Sequence, residues 1–305
     1  MAPSPTGLLH VGHARTFWTA YQRARDAHGT LVMRMEDLDP LRSHTEFVQA
    51  ALEDLRWLGI RWQEGPDIPA NVSGGNCGPY LQSKRRPFYL AAWRRLYNRG
   101  AIYACRCSRK DLAQVATAPH ESVHAIGTEH SAHASDDEPI YPGTCRKNRS
   151  APMQLTDGGG PGHERIHPVP TGINWRFRVT DGEEVKFYDQ HFGPQKFIAG
   201  RDFGDFLVWR RDNVPAYQLA CVVDDAEMGI TEVVRGADLL KSTARQILLN
   251  RALGYTDPAW YHCELVTNHN GERLAKRHAS LSLRSLRLRG ITPLKIFSAD
   301  IPISQ

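Results

Sequence analysis

Residues 2–13 read Ala2-Pro-Ser-Pro-Thr-Gly-Leu-Leu-His-Val-Gly-His13, and this string limits the fold more than any other stretch. Pro3, Pro5 and Gly7 hold an extended loop, because proline fixes φ and keeps the residue before it out of the helical region. Directly behind it, Val11, Ala14, Phe17, Trp18, Tyr21 and Ala24 fall near one stripe at helical spacing. A helix is therefore expected from His10, with Gly29 as its C′ stop. The first turn of such a helix has backbone N–H groups without intrahelical partners, and together they can hold a phosphate. Small residues in the loop let a ligand approach the backbone, and His10 and His13, three apart, can both face the same anion.

Further elements follow in alternation. Thr30 to Glu36 reads as a strand that delivers the acidic run Glu36-Asp-Leu-Asp39 at its end. Ser43-His-Thr-Glu46 matches a capping box, and Val48, Ala51, Leu52, Leu55 and Leu58 keep helical spacing up to Gly59. A helix is expected from about Lys84 to Asn98, stopped by Gly100, and then a short strand from Ala101 to Cys105. Residues 117–172 are rich in His, Gly, Pro, Ser and Thr and read as an irregular insert. Regular structure resumes with alternation at Asn174 to Val179 and with the apolar runs Phe206 to Trp209 and Tyr217 to Val223. Ile230 to Arg235 is a strand candidate, and Asp238 can cap a helix that ends near Gly254. Strands alternating with helices predict an α/β core with a largely parallel sheet.

Composition excludes several classes. With 305 residues, 41% of them hydrophobic, the chain can bury a sizeable core, and its length suggests about two domains. Seven Trp, ten Tyr and ten Phe are too many for a disordered chain. No run approaches the roughly 20 apolar residues that span a membrane. The N-terminus reads Met-Ala-Pro-Ser-Pro-Thr-Gly, without the charged and apolar regions of a secretory signal, so a cytoplasmic protein with reduced cysteines is expected; the expected oligomeric state is a monomer. The net charge of +5 leans mildly toward a polyanionic partner. From Arg273 to Lys295 there are seven Lys or Arg and no Asp or Glu, a segment able to contact nucleic-acid phosphates.

Clustered cysteines in a reduced chain bind metal more often than they pair. Cys105-Arg-Cys107 is followed by Tyr141-Pro-Gly-Thr-Cys145. Three thiolates with one further donor make a closed tetrahedral zinc site. On residue type alone the fourth donor is sought first among the nearby histidines; His120, His124, His130 and His133 otherwise form a solvated tract. Cys77, Cys221 and Cys263 are expected to be unliganded thiols.

Residues 2–13 resemble the ATP-binding signature of class I aminoacyl-tRNA synthetases in the form used by the glutamyl branch. The resemblance continues at Val32-Met-Arg-Met-Glu-Asp-Leu-Asp-Pro40 with Arg42, at Gly204-Asp-Phe206, at Tyr217-Gln-Leu-Ala220 with Val223-Asp-Asp225, and at Val234-Arg-Gly-Ala-Asp-Leu-Leu240. These blocks stand in the family's order over nearly the whole chain. The resemblance implies a Rossmann-type catalytic core of two halves, residues 1–100 and 173–270. An inserted zinc-binding subdomain would occupy 101–172, and a lysine loop with a basic C-terminal segment 271–305. It implies that glutamate attacks the α-phosphate of ATP, with Mg2+, to give glutamyl-adenylate and pyrophosphate, and that the acyl group then passes to a hydroxyl on tRNA. Position by position, it implies that His10, Gly12 and His13 meet ATP and that Ala2, Pro3, Ser4, Glu36, Tyr217 and Arg235 line the glutamate site. Glu36 suits the substrate's ammonium and Arg235 a substrate carboxylate. Taken one at a time these residues have ordinary structural readings; in family order they form one site. The lysine loop departs from the family pattern: Arg273-Leu-Ala-Lys-Arg277 keeps the cation at Lys276 but has Arg273 and Ala275 where the family carries lysine and serine.

The cysteine segment resembles the zinc site of the short glutamyl-queuosine tRNA(Asp) synthetases. That likeness implies one structural zinc on Cys105, Cys107, Tyr141 and Cys145, with residues 117–138 as an insertion. Only residues 278–305 follow the lysine loop, so no anticodon-binding domain is expected. The implied reaction attaches glutamate to the queuosine base in the anticodon of tRNA(Asp). Two rival readings are a truncated glutamyl-tRNA synthetase that charges a 3′ end and a non-catalytic tRNA- or zinc-binding paralogue. The family also places a strand and a substrate-binding arginine ahead of the first block, where this chain has only Met1. The expectation is that the reading frame starts upstream, and that without that strand its neighbours keep bare edges.

Overall fold

The structure, a computed structural model, describes residues 1–69, 77–108, 140–146, 169–266 and 282–297. Helix α1 (Val11–Asp26) buries Val11, Ala14, Phe17 and Ala20, four residues along one face. It does not end on Gly29. The Gly29 amide donates to the Ala24 carbonyl at 2.8 Å and the His28 amide to the Arg25 carbonyl at 3.0 Å, which is a Schellman turn with His28 at C′. His28 accordingly takes φ 51°. The helix runs one residue shorter than its pattern suggests, so the reversal falls on a residue with a Cβ. We predict that His28→Gly raises stability by up to about 1 kcal/mol, seen as a higher urea midpoint at unchanged slope.

Residues 30–36 are extended, as expected, and are paired on both sides without forming a regular ladder. Val32 bridges Glu64 and Met35 bridges Leu81, both in parallel. On the opposite side the Met1 nitrogen donates to the Val32 carbonyl at 2.6 Å, Arg34 donates to Met1 at 2.9 Å, and Glu36 donates to Pro3 at 3.0 Å. The opening loop and the acidic run are thereby laid side by side. Helix α2 (Thr45–Trp57) buries Ala51, Leu52 and Leu55. The capping box at Ser43 does not form: His44 is the N-cap and makes no side-chain cap bond. The Ser43 amide is taken by the Asp39 carbonyl at 2.9 Å and the His44 amide by the Pro5 carbonyl at 3.1 Å, so turn and loop claim these groups before the helix starts.

Helix α3 (Arg86–Asn98) leads to strand β1 (Ile102–Cys105). Strands β2 (Asn174–Phe177), β3 (Glu184–Asp189), β4 (Gly193–Ile198) and β5 (Phe206–Trp209) follow, then helix α4 (Tyr217–Glu227). Strand β6 (Glu232–Gly236), helix α5 (Leu240–Leu253) and strand β7 (Ala259–Cys263) form a crossover unit, and helices α6 (Leu283–Leu288) and α7 (Pro293–Phe297) close the chain. Gly254 ends α5 in the left-handed region, φ 73°, as its sequence position suggests. Asp238 is not the cap; it lies inside a 3₁₀ turn, Ala237–Leu239, and α5 begins after Leu239.

The expectation of a largely parallel sheet needs correction. One sheet, in the order β1-β2-β5, is antiparallel throughout, and a second, β4-β3-β7-β6, is mixed. Among the pairs of named strands in the described residues only β3–β7 and β6–β7 are parallel. Parallel neighbours need a crossover of a dozen or more residues. β6 and β7 have one in α5, whereas Asp189 already faces Gly193 across the tight β3–β4 hairpin. The far edge of β6 has no strand partner among the described residues, and a cavity opens between that edge and residues 31–34.

Two apolar cores flank this framework. Trp93, Phe177, Phe206, Trp209, Leu219 and Leu249 belong to one; Phe17, Met33, Met35, Leu55, Leu283 and Ile296 belong to the other. Asp224 on α4, fully buried, accepts from Arg85 at 2.6 Å, Gln82 at 2.8 Å and Tyr89 at 2.8 Å. A buried carboxylate is tolerated when every lone pair is met, and here it ties α3 to α4.

Candidate active site and metal centre

The start of α1 is capped by its own histidines. His10 Nδ1 accepts from the Gly12 amide at 3.1 Å, and His13 Nδ1 accepts from the His10 amide at 3.2 Å. The two rings stack with centroids 3.7 Å apart. Because both Nδ1 atoms accept, each neutral ring carries its proton on Nε2, a donor nitrogen suited to an anion. Gly12 makes this possible: a Cβ there would lie 3.0 Å from His10 Cε1 and 3.2 Å from Nδ1. The same Cβ position is 4.0 Å from Val266, and the Leu283 amide donates to the Leu9 carbonyl at 2.8 Å. The chain thus lies against the helix start both before and after residues 267–281. Arg273 and Lys276 fall within that stretch, outside the described residues.

One cavity of about 1190 Å³ gathers the other residues expected at the site. Ala2, Pro3 and Ser4 line it from the opening loop, His10, Gly12 and His13 from the helix start, and Glu36, Tyr217 and Arg235 from the far walls. Ser4 Oγ donates to Glu36 Oε2 at 3.3 Å. Burial raises the Glu36 carboxyl above the ordinary carboxylate range, and Arg34 only partly opposes this. Tyr217 is 37% accessible, but the surface it shows is cavity wall, and burial pushes its phenol well up. Arg235, 8% exposed, reaches the same space from β6.

Two residues here were not read from the sequence. Arg34 donates to Asp225 at 2.6 Å and lies 3.4 Å from Glu36, so it fixes the wall behind that carboxylate. It precedes Glu36 by two, and in an extended segment such residues share a face. Cys221, expected only as an unliganded thiol, directs Sγ at Glu36 Oε1 from 3.4 Å and lines the cavity. It follows Tyr217 by four, the spacing of neighbours on a helix face. Burial, and then the charge of Glu36, push its thiol well up, which makes it a poor nucleophile.

The residues expected to ligate a metal also meet. The Sγ atoms of Cys105, Cys107 and Cys145 all lie within 4.8 Å of one another and could hold a metal ion. Cys107 and Cys145 are 3.6 Å apart, and the Tyr141 hydroxyl is 3.4 Å from Cys105 and 3.5 Å from Cys107. The Cys145 amide donates to that hydroxyl at 2.8 Å. Burial, then the neighbouring thiols, raise the Tyr141 phenol. Gly204 admits the tyrosine segment, since a Cβ there would stand 3.0 Å from Ile140 and 3.1 Å from the Tyr141 amide nitrogen. The Arg176 guanidinium lies 4.0 Å over the Tyr141 ring. Next to Gly204, Asp205 accepts from Tyr103 at 2.6 Å and from the Val179 amide at 2.8 Å. His120, His124, His130 and His133 lie outside the described residues.

Comparison with known proteins agrees with this geometry. Residues 1–299 match the family of class I tRNA synthetases (E and Q), catalytic domain. The chain belongs to this family. As a class I synthetase catalytic domain it is an enzyme of the ligase class, with an α/β fold. It is 44% identical to the glutamyl-Q tRNA(Asp) synthetase of Symbiobacterium thermophilum, over 96% of this chain and 81% of that protein. It is 43% identical to the protein of the same name from Nitratidesulfovibrio vulgaris, over 97% of this chain and 82% of that one. Glutamate–tRNA ligase 2 of Nitrosococcus oceani is 40% identical over 96% of this chain but only 56% of its own length. A crystal structure of a glutamate tRNA ligase from Elizabethkingia meningosepticum in complex with its amino acid superposes with a TM-score of 0.69, at 27% identity, over 90% of this chain and 51% of that one. The chain therefore spans about half the length of the glutamate–tRNA ligases it resembles.

Proposed function

We propose that the chain activates glutamate with ATP, without tRNA, and transfers the glutamyl group to the queuosine base in the anticodon of tRNA(Asp). One observation carries the reading: His10, Gly12 and His13 at the start of α1 and the charged pair Glu36 and Arg235 line the same cavity. Glu36 takes the substrate's ammonium, with Ser4 and Tyr217 beside it, and Arg235 takes a carboxylate. Ala2 and Pro3 bring bare backbone to the amino acid. The ATP phosphates sit at the start of α1, with the Nε2–H groups of His10 and His13 as donors and Gly12 leaving room. Lys276 adds a cation from the segment whose flanks lie against that helix start, and Mg2+ accompanies the phosphates.

In the first step a carboxylate oxygen of glutamate bonds to the α-phosphorus, the bond to the β-phosphate oxygen breaks, and pyrophosphate leaves. The protein forms no bond itself; it orients the partners and stabilises the charge that moves. In the second step a hydroxyl of the queuosine cyclopentenediol attacks the acyl carbon, AMP leaves and the hydroxyl proton is lost. The names of the relatives that the chain matches over most of their length support this acceptor. Arg284, Arg287, Arg289 and Lys295 on and beside α6 and α7 supply charge for tRNA phosphates.

The metal is zinc in this reading, held for structure by Cys105, Cys107, Tyr141 and Cys145. Zinc bond lengths place tetrahedral S···S edges at about 3.8 Å and S···O edges at about 3.5 Å. The Cys107–Cys145 separation of 3.6 Å and the Tyr141 separations of 3.4 and 3.5 Å fit that figure.

The test is pyrophosphate exchange without tRNA, with glutamate, aspartate and glutamine compared. Exchange with glutamate alone is expected; no exchange with any of them would remove the activation step. A second reading, charging of a tRNA 3′ end, is favoured by the similarity to glutamate–tRNA ligases. Nuclease digestion of labelled tRNA separates the two. Label on the anticodon nucleoside supports the first reading, and label on the terminal adenosine supports the second.

A further inference from the structure

Arg235 is held by a chain of buried groups that crosses three neighbouring strands. Asp189 ends β3, His262 stands on β7 opposite Arg235 of β6, and Thr243 lies in α5 above them. Asp189, Thr243 and His262 are all fully buried. His262 Nδ1 lies 2.6 Å from Asp189 Oδ2. Arg235 Nε donates to His262 Nε2 at 3.2 Å, and Arg235 Nη2 donates to Thr243 Oγ1 at 2.6 Å.

The proton positions follow from donor chemistry. Arginine has no acceptor, so His262 Nε2 must accept and its ring proton must sit on Nδ1, facing Asp189. Burial, with Arg235 next to it, lowers the His262 pKa against the pull of Asp189, which keeps the ring neutral. Burial works against the Asp189 charge, but the bonds from His262 and from the Phe192 and His191 amides outweigh it and hold the carboxyl below its usual range. With Nε and Nη2 each committed to one acceptor, the plane of the guanidinium is fixed where it meets the cavity. A guanidinium on a free side chain would have to give up rotamer freedom on each binding event.

We propose that Thr243 and the Asp189–His262 pair are positioning residues that hold Arg235 in register for the carboxylate of the amino-acid substrate. This rests on the reading of Arg235 as the carboxylate ligand. Thr243→Val keeps the shape and removes the acceptor; Thr243→Ser keeps the acceptor. In glutamate-dependent pyrophosphate exchange, Thr243→Val is expected to raise KM for glutamate about tenfold or more, the scale of one hydrogen bond to a charged group. KM for ATP should be unchanged, and Thr243→Ser should behave as wild type. The Thr243 hydroxyl also lies 3.0 Å from His262 Nε2 and donates to the Leu239 carbonyl at 3.2 Å; its effect on glutamate still passes through the guanidinium, so Thr243→Val added to Arg235→Ala should raise KM no further than Arg235→Ala alone.

If Arg235→Ala leaves KM for glutamate unchanged, the reading of Arg235 itself fails. If Arg235→Ala raises it but Thr243→Val does not, or Thr243→Ser does not restore it, the positioning role is overturned. A Thr243→Val protein that weakens glutamate and ATP binding alike also overturns it, because a purely structural defect acts on both. Native-like melting of Thr243→Val alongside a raised glutamate KM supports the proposal.

Discussion

Replacing Cys107 by serine is expected to strip the protein of bound zinc and lower its melting temperature by on the order of 10 °C. The size follows from how small the apolar cluster at this corner is. The cluster around the metal site consists of Tyr103, Cys105, Tyr141 and Cys145, with Cys107 packed against them. Residues 140–146 carry no regular element beyond one turn, so their attachment depends on the thiols, on Tyr141 under Arg176, on the contact with Gly204 and on Arg146, which pairs with Asp181 at 2.6 Å and lies 3.3 Å from Asp205. Three thiols brought together without a metal have only weak hydrogen bonds to offer each other, whereas bound zinc contributes its whole binding free energy to the fold. Tyr141→Phe keeps all three sulfurs and should retain metal with a smaller loss in melting temperature. Metal analysis of the purified protein and melting with and without a chelator measure both effects. Wild-type protein free of zinc, with a melt that a chelator does not move, would sink the assignment.

The parts of the fold legible in the sequence were those written by local pattern. The stripe on α1, the spacing in α2 and the left-handed Gly254 all follow from helix periodicity and the freedom of glycine, which depend on no distant contact. Helix ends failed where tertiary groups competed for the same amides. Pro5 and Asp39 took the amides that a capping box at Ser43 would leave for its helix, and His28 took the turn that Gly29 suggested. Strand direction was not legible at all. β3 and β4 have partly exposed, polar-rich sequences, and only the positive φ of 70° at Gly193 marks the hairpin that makes the sheet mixed.

The candidate site divides in the same way. Blocks such as residues 2–13 are contiguous, so the helix start and its two histidines could be read directly. Convergence was legible only through the family resemblance, not from local pattern: Glu36, Tyr217 and Arg235 come from three separate elements that line one cavity. The chain Asp189–His262–Arg235 was invisible, since its members stand on strands brought together by a hairpin and a crossover. Cys221 illustrates the limit of reading by residue type. A lone cysteine in an apolar run reads as core, and only its turn-and-a-bit spacing from Tyr217 aims it at Glu36.

Glu36→Gln is expected to raise KM for glutamate about 100-fold or more while KM for ATP stays near wild type. The substrate's ammonium must leave water to sit beside Glu36 in the cavity, and leaving such a charge unpaired in a buried setting costs about 3–5 kcal/mol. At 1.4 kcal/mol per decade that amounts to two to three decades or more. Glutamine matches the shape but offers no formal charge. The loss should come without loss of stability. Burial raises the Glu36 carboxyl, so in the folded protein its charged form is disfavoured relative to the unfolded chain. That penalty is present above the raised pKa and fades as pH falls through it, so at neutral pH the variant should melt at or above the wild type. Arg34 still has Asp225 at 2.6 Å in the variant, and its wall stays in place. The pH dependence follows with the same sign. As pH falls, Glu36 takes up a proton before an ordinary glutamate would, the pocket loses its negative charge, and wild-type KM for glutamate should climb. The variant has nothing to titrate there, so its KM should stay flat over that window. Wild-type KM in the variant, or a pH profile that Glu36→Gln leaves unchanged, would take Glu36 out of the ammonium site and with it the reason for expecting a substrate ammonium in this cavity.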